Sequence, residues 1–162
     1  MLARLRPIWP LATLAFSGAM LAVAILYFQH LRGLAPCPLC LDQRNWHWAV
    51  VGVSLGALAL TRVRPGMTRL AAVAPGLVLL GAAMMGAYHV AVEQHWVVAQ
   101  CDARIDPKDI RPLDFGERFE APRCDEIAWS LGGVSMAGWN TIASFAMALL
   151  SYAVAFAPER KA

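Results

Sequence analysis

Four long blocks free of charge decide most of what this chain can become. Ile8 to Phe28 runs for 21 residues without Asp, Glu, Lys or Arg, Asn45 to Thr61 for 17, Leu70 to Val92 for 23 and Val134 to Ala157 for 24. A helix crossing a bilayer takes about 20 such residues, with a range of roughly 17–25. The pattern therefore predicts an all-α fold of four transmembrane helices, with approximate spans at 8–28, 43–61, 70–92 and 134–157. The second block is the shortest, so its helix is expected to reach back past Arg44, whose guanidinium can snorkel toward water. Composition agrees. Hydrophobic residues make up 59% and charged residues 15% of the 162, against about 45–50% and about 25% in soluble domains. Disorder is excluded, and an ordinary soluble core is disfavoured. The net charge of +3, with no basic run, argues against a nucleic-acid partner. One membrane domain covering 1–162 is expected, an antiparallel four-helix bundle with loops at 29–42 and 93–133, the second of them irregular.

Charge orients the bundle. The tail Met1–Pro7, the linker around Arg62–Arg69 and the C-terminal end hold 7 basic residues and 1 acidic, a net +6. The segments on the other side hold 7 basic and 10 acidic, a net −3. Short basic loops near helix ends favour the cytoplasm, so both termini are expected there. Loops 29–42 and 93–133, and with them Cys37, Cys40, Cys101 and Cys124, then lie on the opposite side. The tryptophans sit at block ends, as interfacial anchors do: Trp46, Trp48, Trp96, Trp129 and Trp139 toward the cysteines, Trp9 away from them. The first block is longer than the core of a secretory signal, and Gln29, His30 and Arg32 follow it, so it reads as a retained span. Gly52 and Gly56 form a GxxxG, read as ordinary close packing. Residues 93–133 carry 14 charges in 41, which suggests a solvated, mobile loop with room for a short amphipathic helix.

The chemistry is expected in the cysteines. Thiols facing an oxidising compartment tend to pair, and a bacterial periplasm fits. Four cysteines allow three connectivities. A bridge between Cys37 and Cys40 would close a very small ring, of more use in redox exchange than in stability. A bridge between Cys101 and Cys124 would stabilise by roughly 3 kcal/mol on the chain-entropy model, so a structural role is credible there. Proline is favoured at the first helical position. If the second helix starts at Pro38, Cys37 caps it and Cys40 lies in its first turn, where the helix dipole stabilises a thiolate. Arg44 falls seven residues after Cys37 and four after Cys40, on the same helix face. A guanidinium below a dithiol at membrane depth could hold the oxygen of a lipid-soluble electron acceptor. Other readings are weaker. Cys101 and Cys124 are not a CxxC, as a zinc site would want. Leu41 stands where covalent haem needs His, and a haem held between His47 and His89 has no further support. His30 and His95 read as interfacial residues, and His89, Glu93 and His95 share the depth of the dithiol without an assigned role.

These residues resemble the disulfide bond formation protein B family, the quinone-linked membrane thiol oxidases of bacteria. The likeness is carried by Tyr27-Phe28-Gln29-His30 at the end of the first span and by Cys37-Pro38-Leu39-Cys40 followed by Gln43-Arg44. It continues through Tyr88-His89 with Glu93-Gln94, the Cys101…Cys124 loop, Trp129, and Ser135-Met136-Ala137-Gly138-Trp139-Asn140 opening the fourth span. In the vitamin K epoxide reductase relatives the quinone-facing CxxC comes late; here it follows the first span. The resemblance implies a relay. A periplasmic thiol oxidase of thioredoxin fold, similar to DsbA, docks on the long loop. Its thiolate attacks a Cys101–Cys124 disulfide at Cys101, and Cys124 then attacks a Cys37–Cys40 disulfide. That pair passes two electrons to ubiquinone or menaquinone, with Arg44 assisting the quinone. It also implies a multi-pass protein of the bacterial inner membrane, bordered by lipid and the quinone pool. The competing reading is a non-enzymatic scaffold subunit braced by two structural disulfides. A transporter ranks last, because its site would want intramembrane acidic residues.

Overall fold

The computed structural model describes residues 2–98, 101 and 123–158. Its four main helices are α1 (Trp9–Ala22), α2 (Pro38–Val63), α3 (Thr68–Glu93) and α4 (Met136–Phe156). A 3₁₀ stretch, Leu2–Ile8, leads into α1, and a π-helical stretch, Val23–Leu31, continues it. Each of the four continuous helical runs is long and apolar enough to cross a membrane, as the blocks predict. The runs overshoot them: the first extends from Leu2 to Leu31, and the second begins at Pro38 rather than 43. The loop expected at 29–42 is therefore reduced to a short turn before Cys37. Most of loop 93–133, with its expected amphipathic helix, falls outside the described residues.

Consecutive helices pack on one another, most extensively α3 on α4, then α2 on α3 and α1 on α2. Val50, Leu79 and Ala148 form a fully buried layer against Phe16, so each helix contributes one residue to the middle of the bundle. Burial in lipid gives helices little hydrophobic reason to associate, so small residues and interhelical hydrogen bonds do that work. Thr13 Oγ1 and Ser54 Oγ lie 2.8 Å apart between α1 and α2. Trp9 Nε1 donates to Ser151 Oγ at 2.9 Å, tying the start of α1 to α4. Arg6, read from sequence only as an orienting charge, is buried. Its Nε donates to the Val154 carbonyl at 3.2 Å, and its terminal nitrogen to that of Ala157. The guanidinium thus neutralises the negative, open-carbonyl end of α4.

Close packing falls on glycines other than those expected. A side chain on Gly52 or Gly56 would meet nothing within 4 Å, whereas a Cβ on Gly76 of α3 would sit 2.8 Å from Ser151 Cβ of α4. Among the described residues the GxxxG is thus not a packing face. Gly76→Val should force α3 and α4 apart and cost about 1–3 kcal/mol, as overpacking typically does. Reversible unfolding in detergent measures it, and an unchanged midpoint would show that the two helices can yield.

The chain enters α4 through an antiparallel hairpin. β1 (Ser130–Leu131) pairs with β2 (Val134–Ser135) across Gly132 and Gly133, both at positive φ. A two-residue turn with both positions left-handed matches the strand twist and all but requires glycine. Ser135 then caps α4, its Oγ accepting from the Gly138 N–H at 3.1 Å, and its hydroxyl donates to the Glu93 carboxylate at the end of α3. The hairpin was not foreseen, being only two residues per strand.

Candidate redox site between the cysteine pairs

Cys37 stands as the N-cap of α2. Its extended backbone leads into Pro38, and its sulfur accepts from the Cys40 N–H at 3.2 Å. Proline at N1 sets the start, as its fixed φ and missing N–H favour. The sulfurs of Cys37 and Cys40 lie 2.7 Å apart with no bond between them. Cys101 and Cys124 are disulfide-bonded.

The two pairs touch. Cys37, Leu39, Val92 and Cys124 form one buried apolar cluster, with Cys40, Met85 and Cys101 packed against it. Cys124 is fully buried. A disulfide packed on a second cysteine pair, with Cys37 and Cys124 buried together, brings the sulfurs into reach of thiol exchange.

Beside the cluster opens a cavity of about 610 Å³. Its walls are largely apolar, from Met20, Leu21 and Phe28 to Ile127, Trp129 and Met136, and Cys37, Cys40, Gln43, Arg44, His47, His89, Glu93 and Asn140 reach it. Phe28 and Trp129 meet edge to face, ring centroids 5.0 Å apart. Arg44 sits one turn below Cys40, as its spacing predicts. Its guanidinium is held from the first span, donating to Gln29 Oε1 at 2.6 Å and to the Ala24 carbonyl at 3.1 Å. Both partners lie in the π-helical stretch. Such an irregularity re-aims side chains and often marks a functional site, and no sequence signal announced it.

A chain of buried polar groups leads away from the dithiol. His89 Nε2 lies 3.8 Å from Cys37 Sγ and 4.0 Å from Glu93 Oε1. Gln43 Nε2 donates to His89 Nδ1 at 2.6 Å, and Asn140 Nδ2 donates to Gln43 Oε1 at 2.7 Å. His47 Nε2 is 2.8 Å from Asn140 Oδ1, and His47 Nδ1 is 3.2 Å from Ser17 Oγ. The two histidines weighed above as a haem pair are thus joined through two amides. Sequence reasoning assigned Gln43 and Asn140 no chemistry. Polar residues in membrane helices, Gln43 and His47 one turn apart on α2 and His89 and Glu93 one turn apart on α3, were the available signal. His30 and His95 are exposed, as expected.

The ligand atoms of Cys37, Cys40 and His89 lie within 4.8 Å of one another. A zinc ion holds two thiolates at about 2.3 Å each in a tetrahedron, which puts the sulfurs about 3.8 Å apart. The observed 2.7 Å is shorter than that spacing.

Comparison with known proteins follows the same lines. The family model for disulfide bond formation protein DsbB matches residues 6–154. Disulfide bond formation protein B of Pasteurella multocida is 34% identical, over 91% of this chain and 85% of its own. Disulfide bond formation protein B 2 of Pseudomonas aeruginosa PAO1 is 32% identical over 96% and 93%, and the Azoarcus sp. BH72 protein 33% over 90% and 89%. No solved structure matches.

Proposed function

The chain belongs to the DsbB family of multi-pass membrane proteins of disulfide bond formation, and from that premise we propose that it is a quinone-dependent thiol oxidase of the bacterial inner membrane. In this reading both termini are cytoplasmic and all four cysteines face the periplasm. A reduced, DsbA-like oxidase of thioredoxin fold gives two electrons to the Cys101–Cys124 disulfide. Cys124 passes them on to Cys37–Cys40, and that pair passes them to ubiquinone or menaquinone. The observation that carries the proposal is the single buried cluster holding Cys37 and Cys124, with Cys40 on the wall of the adjoining cavity.

A quinone head needs an apolar slot and a donor for its carbonyl oxygens, and these residues fit that need. Two of the five N–H groups of Arg44 are used on Gln29 and Ala24, which leaves donors for a guest. When bound, the quinone would supply the two-electron acceptor. The protein supplies the rest. Phe28 and Trp129 flank the slot, Arg44 stabilises developing negative charge, and the cluster buries Cys37 and Cys124. Electrons and protons balance: two thiols become one disulfide, and two electrons and two protons leave together.

Purified protein should reduce a soluble quinone analogue when given a reduced thioredoxin-fold partner, and Cys37 and Cys40 should be trapped as thiols in quinone-depleted cells. If that pair never appears reduced there, the scaffold reading replaces this one.

A further inference from the structure

The polar chain across the bundle has a direction. Asn140 donates its Nδ2–H to Gln43 Oε1, so the amide nitrogen of Gln43 is what remains for His89. It donates to Nδ1 at 2.6 Å, and Nδ1 must be the bare nitrogen of a neutral ring. The hydrogen of His89 then sits on Nε2, facing Cys37 Sγ at 3.8 Å. The other end agrees. Asn140 Oδ1 can only accept, so His47 donates to it from Nε2, and Ser144 Oγ donates to the same oxygen at 3.4 Å. His47 Nδ1 is left to accept from the Ser17 hydroxyl at 3.2 Å. All these groups are buried, and among the described residues no buried side-chain nitrogen or oxygen lacks a partner.

We infer that Gln43, Asn140 and His47 are positioning residues that lock His89 in the tautomer presenting Nε2–H to Cys37, so that the imidazole stabilises negative charge on the Cys37 sulfur. The inference rests on the redox reading above and assigns roles to three residues of this chain that the reading does not use. Four aligned hydrogen bonds run from Ser17 on α1 through α2 and α4 to α3, and each polarises the next. Cys37 Sγ accepts from the Cys40 N–H and faces the His89 N–H. A donor aimed at a sulfur favours its thiolate, so both contacts lower the cost of negative charge on Cys37. The other groups facing the imidazole are the carboxylate of Glu93 at 4.0 Å and the backbone of Cys124. The Glu93 carboxylate approaches the same Nε2 and leaves Nδ1 to Gln43.

Asn140→Leu removes the donor that orients Gln43. Gln43 can then turn its carbonyl to the ring, and the Nδ1–H tautomer becomes accessible. The test is nitrogen NMR of imidazole-labelled full-length protein in membrane mimetic, with its Cys37–Cys40 pair reduced, together with the alkylation rate of Cys37 at neutral pH. Wild type should show His89 as the Nε2–H tautomer alone. Asn140→Leu should show a mixture and slow Cys37 alkylation by roughly 3- to 10-fold, the size of one hydrogen bond. A second pair guards against a variant that fails to fold. His47→Leu should act in the same direction, whereas His47→Gln, which keeps a donor for Asn140, should restore the wild-type signature. Wild-type His89 as Nδ1–H would overturn the inference, as would an Asn140→Leu variant with unchanged tautomer and alkylation. Should the tautomer and alkylation behave as stated while no quinone is reduced, the redox reading falls and the positioning stands.

Discussion

A Cys37→Ser, Cys40→Ser variant is expected to lose quinone-dependent oxidation of a thiol partner down to the uncatalysed background, a fall of at least ~10³-fold given the usual span of enzymatic acceleration. The reasoning is chemical. Exchange needs a thiolate to attack and a sulfur to leave, and serine offers neither at membrane depth. The substitution is nearly isosteric. A serine at 37 still caps α2, serine being a favoured N-cap, and it still faces His89 Nε2. The Cys101–Cys124 bridge is separate in covalent terms. Unfolding in detergent should therefore change by no more than about 1 kcal/mol, within the spread for one altered cap. The measurement is quinone-analogue reduction by absorbance with a reduced thioredoxin-fold partner. Activity kept at wild-type level would end the proposed relay and leave both cysteine pairs as braces.

The second large effect belongs to Arg44. Arg44→Leu is expected to raise the quinone concentration for half-maximal rate by about 10- to 100-fold, which corresponds to losing a charge-assisted hydrogen bond of about 1.5–3 kcal/mol. Gln29 and the Ala24 carbonyl lose a partner at the same time, so a modest loss of stability should accompany it. The two effects separate by concentration: saturating quinone should recover much of the rate, while the unfolding midpoint stays lowered. Arg44→Lys should recover less than charge alone suggests, because an ammonium cannot reach two partners and a guest as a planar fork does. A rate with unchanged dependence on quinone would mark Arg44 as a snorkelling helix-end charge.

How much of this was legible beforehand differs by kind of feature. The four spans were, because membrane crossing is set by length and charge exclusion, both one-dimensional properties. The role of Cys37 as a cap and the depth of Arg44 were also legible, since Pro38 fixes where α2 begins and helical spacing carries the rest. The contact between the two cysteine pairs was implied only by the family resemblance and not by spacing, because it depends on how the segment around Cys124 folds back over α2 and α3. The meeting of Gln43, His47, His89 and Asn140 lay beyond reach for a similar reason. Three helices must be rotated correctly about their axes before an amide on one can find an imidazole on another, and mostly apolar helices announce no rotation. Arg6 shows the opposite error, a residue counted as a topological charge that the fold uses to close the end of α4.

The glycine hairpin before α4 bears on the speed of the proposed exchange. Cys124 lies six residues before Ser130, where the chain is pinned to the bundle through β1, β2 and the Ser135–Glu93 contact. A leash of that length has a root-mean-square reach of about 13 Å if flexible, so Cys124 meets the Cys37–Cys40 pair at an effective concentration in the millimolar range or above. Exchange between the pairs then becomes a unimolecular event whose frequency does not depend on how much protein the membrane holds. Lengthening the leash, with the hairpin and every cysteine left intact, would dilute that encounter, a kinetic handle on the inner step that leaves the outer partner's access untouched.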